Sequence, residues 1–465
     1  MKKAWLILFL FINIYPRMKE HYNYLIIGAD AAGNTAAGQI RRQDKEASIG
    51  ILEKGEYIAY GACGLPYVIE KKIESVDKLV HFTAEKFGKQ LNADVLIFHE
   101  AVFLNAKEKK VKVKILKENI EKEISYDKLM VASGASPIRL PFIDYANDRI
   151  FELKTINDGK KITAFIETTK PKTAAIIGSG YIGLECAEAF HENGIQVKIF
   201  EALDLPMPRM PIGIREDIKK NLETNNIEFI NNSPVEKVEV QDKEVIITSA
   251  GKTYAVDFLL SAIGVRPQTD FLDNSGIQTQ NKAVIVDAFG KTSHPDVYAA
   301  GDCALVWHNL LQKPVYFPLG HTANKTGRIA GLNMAGQKIE FNGITGTQAF
   351  KFFDTVYAQT GLSEAEAIEA GFDTVEISSM SMSKAGYYPE AEKIKMRLLL
   401  KKKTGQILGA SLAGPLDSYG LIDTASSLIY YKAKAHEIAW MDFIYAPPFA
   451  PVWNALVSAA GKFSE

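Results

Sequence analysis

Ala174-Ala-Ile-Ile177-Gly178-Ser-Gly180-Tyr181-Ile182-Gly183 is the stretch on which the reading of this chain turns. Its four apolar residues form a buried strand, a glycine-punctuated turn follows, and Leu184 to Glu192 continues as a helix. The three glycines have different duties. Gly178 makes the tight turn, Gly180 lets the backbone approach a pyrophosphate, and Gly183 lets helix and strand pack closely. The helix start adds unpaired N–H groups and a partial positive charge suited to phosphate. Glu201 closes the next strand, 23 residues after Gly178, where a carboxylate can bind a ribose diol. The same carboxylate repels a 2′-phosphate, so NADH is expected, with NADPH possible. A lone glycine fingerprint could be a packing turn; strand, helix and acid together favour a dinucleotide.

The pattern occurs a second time, upstream and less regular. Tyr24 to Gly28 reads as a strand, followed by Gly28-Ala-Asp30-Ala-Ala32-Gly33, and Glu53 lies 25 residues after Gly28. Asp30 occupies the place of the middle glycine, where a side chain crowds a pyrophosphate and a charge repels it unless it points away. Glu53 restores the case for a ribose ligand; an unliganded unit of the same fold is the alternative. Two such units in one chain imply two nucleotide sites.

Between and after them, Val111 to Ile124 alternates as sheet, Tyr126 to Ser133 reads as a buried strand, and Val235–Val240, Glu244–Thr248 and Phe258–Ile263 read as short strands. From about Phe341 the glycine turns cease. The expected architecture is α/β, with two Rossmann-like dinucleotide-binding domains and a C-terminal α+β dimerisation domain. Its expected boundaries are 18–150 with 260–340, then 151–259, then 341–465.

Composition bounds the rest. The 465 residues fit about three domains. Lys plus Arg (54) nearly equals Asp plus Glu (55), which argues against a nucleic-acid surface. Three distant cysteines, Cys63, Cys186 and Cys303, form neither a zinc site nor a disulfide framework, so no metal is expected. They fit a reducing, cytoplasmic setting. The apolar run Ala4 to Ile12 is too short to span a bilayer, and no small-x-small cleavage site follows it. Residues 1–17 are read as an extension, with Met18 as the true start, an export signal being the lesser alternative; no stable membrane insertion is expected.

Ten residues beyond Glu53 lies Gly61-Ala-Cys63-Gly-Leu-Pro-Tyr67, a turn leading into a helix. A thiol at a helix start has its thiolate stabilised by the dipole, so a lowered pKa is expected; a buried structural cysteine is the commoner fate. With this segment the chain resembles the flavoprotein pyridine nucleotide–disulfide oxidoreductases, over nearly its whole length after residue 20. The two glycine turns, Ser133-Gly-Ala-Ser-Pro137, Val297-Tyr-Ala-Ala-Gly301-Asp302 and Tyr445-Ala-Pro-Pro448 carry the resemblance.

The resemblance implies FAD at the first turn, near Gly28, Ala32, Gly33, Glu53, Lys54, Cys63, Ser133, Gly134, Gly301 and Asp302, the last at the ribityl chain. It implies NAD(P)H at Gly178, Gly180, Tyr181, Ile182, Gly183, Glu201 and Gly264. Two-cysteine members carry a second cysteine five residues on, where this chain has Val68. Cys63 therefore looks like the single redox cysteine of the branch containing coenzyme A-disulfide reductase, NADH oxidase and NADH peroxidase. It would cycle through a mixed disulfide or a sulfenic acid.

Within that branch, peroxidases and oxidases place a His in the first turn, where this chain has Ala31. Tyr387 and Tyr445 match the tyrosine pair of coenzyme A-disulfide reductases, contributed there by the partner subunit, and a phenol can protonate a leaving thiolate. Thr35, Gln39 and Arg42 match coenzyme A contacts, whereas Ala59, Ala62 and Trp453 replace polar ones. No rhodanese-like extension is expected. Tyr388 is read as a buried aromatic at a dimer seam, His321 as a hydrogen-bonded packing residue, and Cys186 and Cys303 as structural. The expectation is a homodimeric FAD enzyme that oxidises NADH and reduces a small disulfide, coenzyme A disulfide or a related persulfide. An NADH oxidase and a flavin redox sensor with little turnover are the alternatives.

Overall fold

A computed structural model describes residues 18–463. The N-terminal apolar run and the question of an export signal fall outside the described residues. The first sheet grows around β1 (His21–Ile27), five of whose seven residues are buried, in cores on both of its faces, with α1 (Ala31–Gln43) covering one of them. Its parallel neighbours are β2 (Ile49–Glu53) on one side and a long strand, Ile120–Val131, on the other, with Tyr24 opposite both Ile49 and Lys128. Asp94–Ile97 extends this sheet beyond β2, and Val297–Ala299 pairs with Ile120–Val131.

That long strand corrects one expectation. The alternating segment ending at Ile124 and the buried run from Tyr126 are not separate strands. The exposed start of Ile120–Val131 pairs antiparallel with Lys110–Ile115, and its buried end pairs parallel with β1. One strand changes its burial pattern because it changes neighbours.

The turn that holds Cys63 leads into α2 (Leu65–Ile69). α3 (Ile156–Thr169) then opens a second, five-stranded parallel sheet, in the order Ile150–Phe151, Phe258–Ser261, Thr173–Ile177, Gln196–Phe200, Glu228–Ile230. α4 (Tyr181–Glu192) follows the strand Thr173–Ile177 directly. A three-stranded antiparallel sheet is inserted here; its third strand, Lys252–Val256, was not read in the sequence.

α5 (Gly320–Met334) returns to the first unit and lies on α1. Small residues allow the approach: a Cβ on Gly327 would stand 2.4 Å from the Ala32 carbonyl oxygen, and one on Gly331 2.6 Å from Ala36 Cα. The C-terminal unit is a five-stranded antiparallel sheet, Gln348–Phe352, Thr355–Gly361, Ile407–Gly414, Lys393–Lys401, Thr374–Met382, backed by the helices Gly420–Tyr430 and Ala455–Ala460. Glu188, 4% exposed, ties the units together: it pairs with Lys351 and accepts the Phe353 N–H at 2.8 Å. Among the described residues no helix is long and apolar enough to cross a membrane.

Candidate functional site

The two glycine turns are built alike. Gly28 has φ +105° and Gly178 φ +97°; a Cβ would stand 2.1 Å from the Ala132 carbonyl oxygen at the first and 2.6 Å from that of Ala262 at the second. At Gly33 and Gly183 it would stand 1.9 and 2.2 Å from the carbonyl oxygens of Gly28 and Gly178. Gly180 differs, because no atom lies within 4 Å of its Cβ position. The fold does not need a glycine there, and its bare backbone leaves room for a ligand to approach.

Each acid is tied to its own turn. Glu53 accepts the N–H of Ala29 at 3.0 Å and of Gly55 at 2.8 Å. Glu201 accepts the N–H of Ser179 at 3.1 Å, the Ser179 hydroxyl at 2.6 Å and the Leu203 N–H at 3.0 Å. Neither α1 nor α4 has a side chain capping its N-terminus, whereas α3 carries a full capping box. The first-turn N–H groups of α4 are thus free for phosphate, whereas in α1 the Asp30 carboxyl takes the Ala31 N–H. Ser133 Oγ, beside the first turn, is buried without a hydrogen-bond partner. These features fit two dinucleotides. Asp30 lies among Lys154, Glu53 and Tyr60, and burial, above all, pushes its carboxyl up to about 6, so it is partly neutral near neutral pH.

Cys63 sits in a single 3₁₀ turn, Ala62–Gly64, ahead of α2. It is the exposed cysteine of the three; Cys186 and Cys303 are buried. The expected depression of its pKa is not found. Burial by surrounding protein atoms pushes the thiol up, the Glu185 carboxylate adds to this, Lys154 pulls it down, and Asp302 and Asp30 push it up further. The five residues of α2 make too short a helix for its dipole to outweigh these neighbours. Glu185 is itself pushed up to about 7, mainly by burial, and the Tyr67 hydroxyl donates to it at 3.5 Å. Lys154 Nζ donates to Asp302 Oδ2 at 3.5 Å. Val68, where a resolving cysteine would stand, is a core residue.

The remaining expected residues divide. Tyr387 and Tyr445 come together, hydroxyl to hydroxyl at 3.4 Å, and are 76% and 49% exposed. Trp440, Ile444, Phe449, Val452 and Trp453 are exposed in the same C-terminal segment. Thr35 donates to Asn324 at 2.8 Å, linking α1 to α5; Arg42 is exposed, and Gln39 is 7% exposed. Arg41 is consumed by five carbonyl oxygens of the chain, those of Leu91, Asp44, Lys45, Ala47 and Asn92. Lys54 is exposed, Gly134 and Gly264 have φ +69° and +107°, and the Gly301 N–H donates to Thr326 at 3.3 Å. Ala32 is buried beneath Gly327, Ile182 is half-buried, and the buried Tyr181 hydroxyl is unpartnered.

His321 is not the packing residue expected but lies exposed in the first turn of α5. Sequence reasoning missed Lys154 and Glu185. Glu185, two residues beyond the last glycine of its turn, carried a local signal; Lys154 did not.

Two nucleotide-binding units converging on one accessible thiol define a nucleotide-dependent thiol oxidoreductase. Residues 22–327 match the pyridine nucleotide-disulphide oxidoreductase family, and residues 347–456 match its dimerisation domain. The chain belongs to this family and is an NAD(P)H-dependent flavoprotein oxidoreductase. It is 32% identical to an NADH oxidase of Methanocaldococcus jannaschii, over 94% of this chain and 97% of that one. It is 30% identical to a coenzyme A disulfide reductase of Staphylococcus aureus, over 92% and 96%. The solved NAD-dependent persulfide reductase from A. fulgidus superposes with a TM-score of 0.91 at 32% identity, covering 94% of this chain and 82% of that one.

Proposed function

We propose that this protein is a homodimer that reduces a small-molecule disulfide or persulfide, of the coenzyme A type, with NADH through Cys63. The observation that carries the reading is a single accessible thiol, with a core valine in the resolving position, among the carboxylates and the one lysine that meet there. A cysteine without a resolving partner closes its cycle with a thiol from outside or through a sulfenic acid, and the first route is the one proposed. The likeness to a coenzyme A disulfide reductase and to a persulfide reductase supports that choice of partner.

Gly28, Gly33, Glu53, Ser133 and Asp302 would hold FAD, and Gly178, Gly180, Gly183 and Glu201 would hold the nicotinamide nucleotide. FAD, when bound, supplies a two-electron relay between a nicotinamide hydride and a sulfur–sulfur bond. The protein's own steps are as follows. The Cys63 thiolate attacks one sulfur of RSSR, forming Cys63–S–S–R and expelling RS⁻. An electron pair originating in NADH then cleaves the mixed disulfide, regenerating the Cys63 thiolate and releasing a second RS⁻. Overall, RSSR + NADH + H⁺ gives 2 RSH + NAD⁺. The exposed Tyr387–Tyr445 pair, contributed by the partner subunit, donates a proton to the departing thiolate.

Mass spectrometry of the purified protein tests this directly. A thiol adduct on Cys63 that NADH releases supports the reading; a bare or sulfenylated Cys63 with fast oxygen uptake and no disulfide turnover overturns it. That second outcome is the NADH oxidase reading, which the Methanocaldococcus relative favours.

Two substitutions test the assigned roles. Tyr445→Phe is expected to lower disulfide turnover about a hundredfold, as loss of a general acid does. Stability should stay within about 0.5 kcal/mol, because the hydroxyl is on an exposed side chain. Glu201→Ala is expected to narrow the preference for NADH over NADPH by about tenfold, through loss of a charge-assisted contact to one ribose and of repulsion toward the other. An unchanged ratio of kcat/KM values would remove Glu201 from the nucleotide site.

A further inference from the structure

We propose that Lys154 is a positioning residue for Cys63: its ammonium, anchored on Asp302, offsets the carboxylates that crowd the sulfur. This deepens the reading of Cys63 given above and rests on it.

The backbone fixes the lysine first. Lys154 precedes α3, whose first turn is closed by reciprocal hydrogen bonds. Thr155 Oγ1 accepts the Asp158 N–H at 3.3 Å, and Asp158 Oδ2 accepts the N–H of Thr155 at 2.8 Å and that of Lys154 at 3.2 Å. α3 in turn packs on α2, the helix continuing from the Cys63 turn. A Cβ on Gly159 would stand 2.8 Å from Leu65 Cδ2, and Leu65, Val68, Leu153, Ile156 and Ile162 share one core. Cap and core together hold Lys154 at a set place relative to Cys63. From there the side chain reaches Asp302 at 3.5 Å, with the two side chains only 32% and 20% exposed.

Charge supplies the second argument. The charges that act on the sulfur come from Glu185 of α4, Asp302 of the loop after Val297–Ala299, Asp30 at the head of α1, and Lys154. Tyr67 of α2 contacts Glu185, Tyr60 lies beside Asp30 and Glu53, and His81 of the neighbouring strand stands 3.9 Å from the Gly61 Cβ position. Of the charges that act most strongly on the sulfur, three are acids and Lys154 is the cation. Lys154 favours the charged form of both Cys63 and Asp30, and in a partly shielded cleft such a charge acts more strongly than in water. The thiolate is the species that attacks a disulfide, so removing the lysine removes reactive sulfur.

The experiment follows the sulfur and not turnover. Holoenzyme is reduced with dithiothreitol, the reductant is removed, and alkylation of Cys63 by iodoacetamide is quantified by mass spectrometry across pH. Lys154→Met is expected to react about tenfold more slowly near neutral pH, with its profile moved to higher pH. Lys154→Arg keeps the cation and should follow the parent. Glu185→Gln, which removes the largest opposing charge, should move the profile to lower pH. A Lys154→Met profile that overlays the parent, or Lys154→Arg as slow as Lys154→Met, overturns the proposal. Absence of disulfide turnover in the parent would instead overturn the functional reading and leave this measurement standing.

Discussion

Replacing Cys63 with Ser is expected to abolish NADH-driven disulfide reduction, lowering kcat by about a thousandfold or more. The serine hydroxyl has nearly the thiol's shape but forms no bond to sulfur that two electrons can reopen. No other cysteine can stand in. Cys186 and Cys303 are 0% exposed, and burial pushes both thiols up, that of Cys303 to about 11. Cys303 is also held by the carbonyl oxygens of Val131 and Ala300 at 3.4 and 3.3 Å. The variant should keep its fold and its NADH-reducible flavin, because Cys63 is exposed and contributes to no core. Steady-state turnover with coenzyme A disulfide, beside anaerobic bleaching by NADH, separates the two halves of the cycle. If the serine enzyme turns over any disulfide at the parent rate, the proposed function fails.

The second large effect separates glycines that serve the fold from one that serves a ligand. Gly33→Ala forces a Cβ to within 1.9 Å of the Gly28 carbonyl oxygen, so strand and helix must part. A loss of about 3 kcal/mol or more is expected, as for severe overpacking, with little flavin retained on purification. Gly180→Ala meets no atom within 4 Å, and its φ of −78° with ψ −172° suits any residue. The melting temperature should therefore move by the equivalent of less than about 1 kcal/mol. The KM for NADH should nevertheless rise about tenfold or more, because the methyl group occupies the path of the pyrophosphate. Parent-like NADH binding by Gly180→Ala would show that the second turn is not the pyrophosphate site.

The contrast between these glycines explains why so much was legible in the sequence. A tight turn with φ near +100° needs glycine, a helix packed on its own strand needs another, and the acid closing the next strand falls at a set distance. All three requirements are met within about 25 contiguous residues, at Gly28–Glu53 and again at Gly178–Glu201. The lone cysteine and the valine five residues beyond it are likewise visible without a fold.

Where neighbours come from distant segments, the reading failed or stayed silent. The strand Ile120–Val131 was divided because its two halves meet different partners. His321 reads as packing, yet its side chain is exposed beside the buried Thr322 and Ala323.

By itself, then, the sequence determined the two nucleotide units, their acids and the single candidate thiol, because backbone stereochemistry and short-range periodicity are written in adjacent residues. Only the tertiary structure decided what surrounds that thiol. The charges of Glu185, Asp302, Asp30 and Lys154 act on Cys63 from four separate segments, and Tyr387 finds Tyr445 across 58 residues. Electrostatic energy depends on distance through space and on the water excluded between charges, and neither quantity is encoded in the order of residues along the chain.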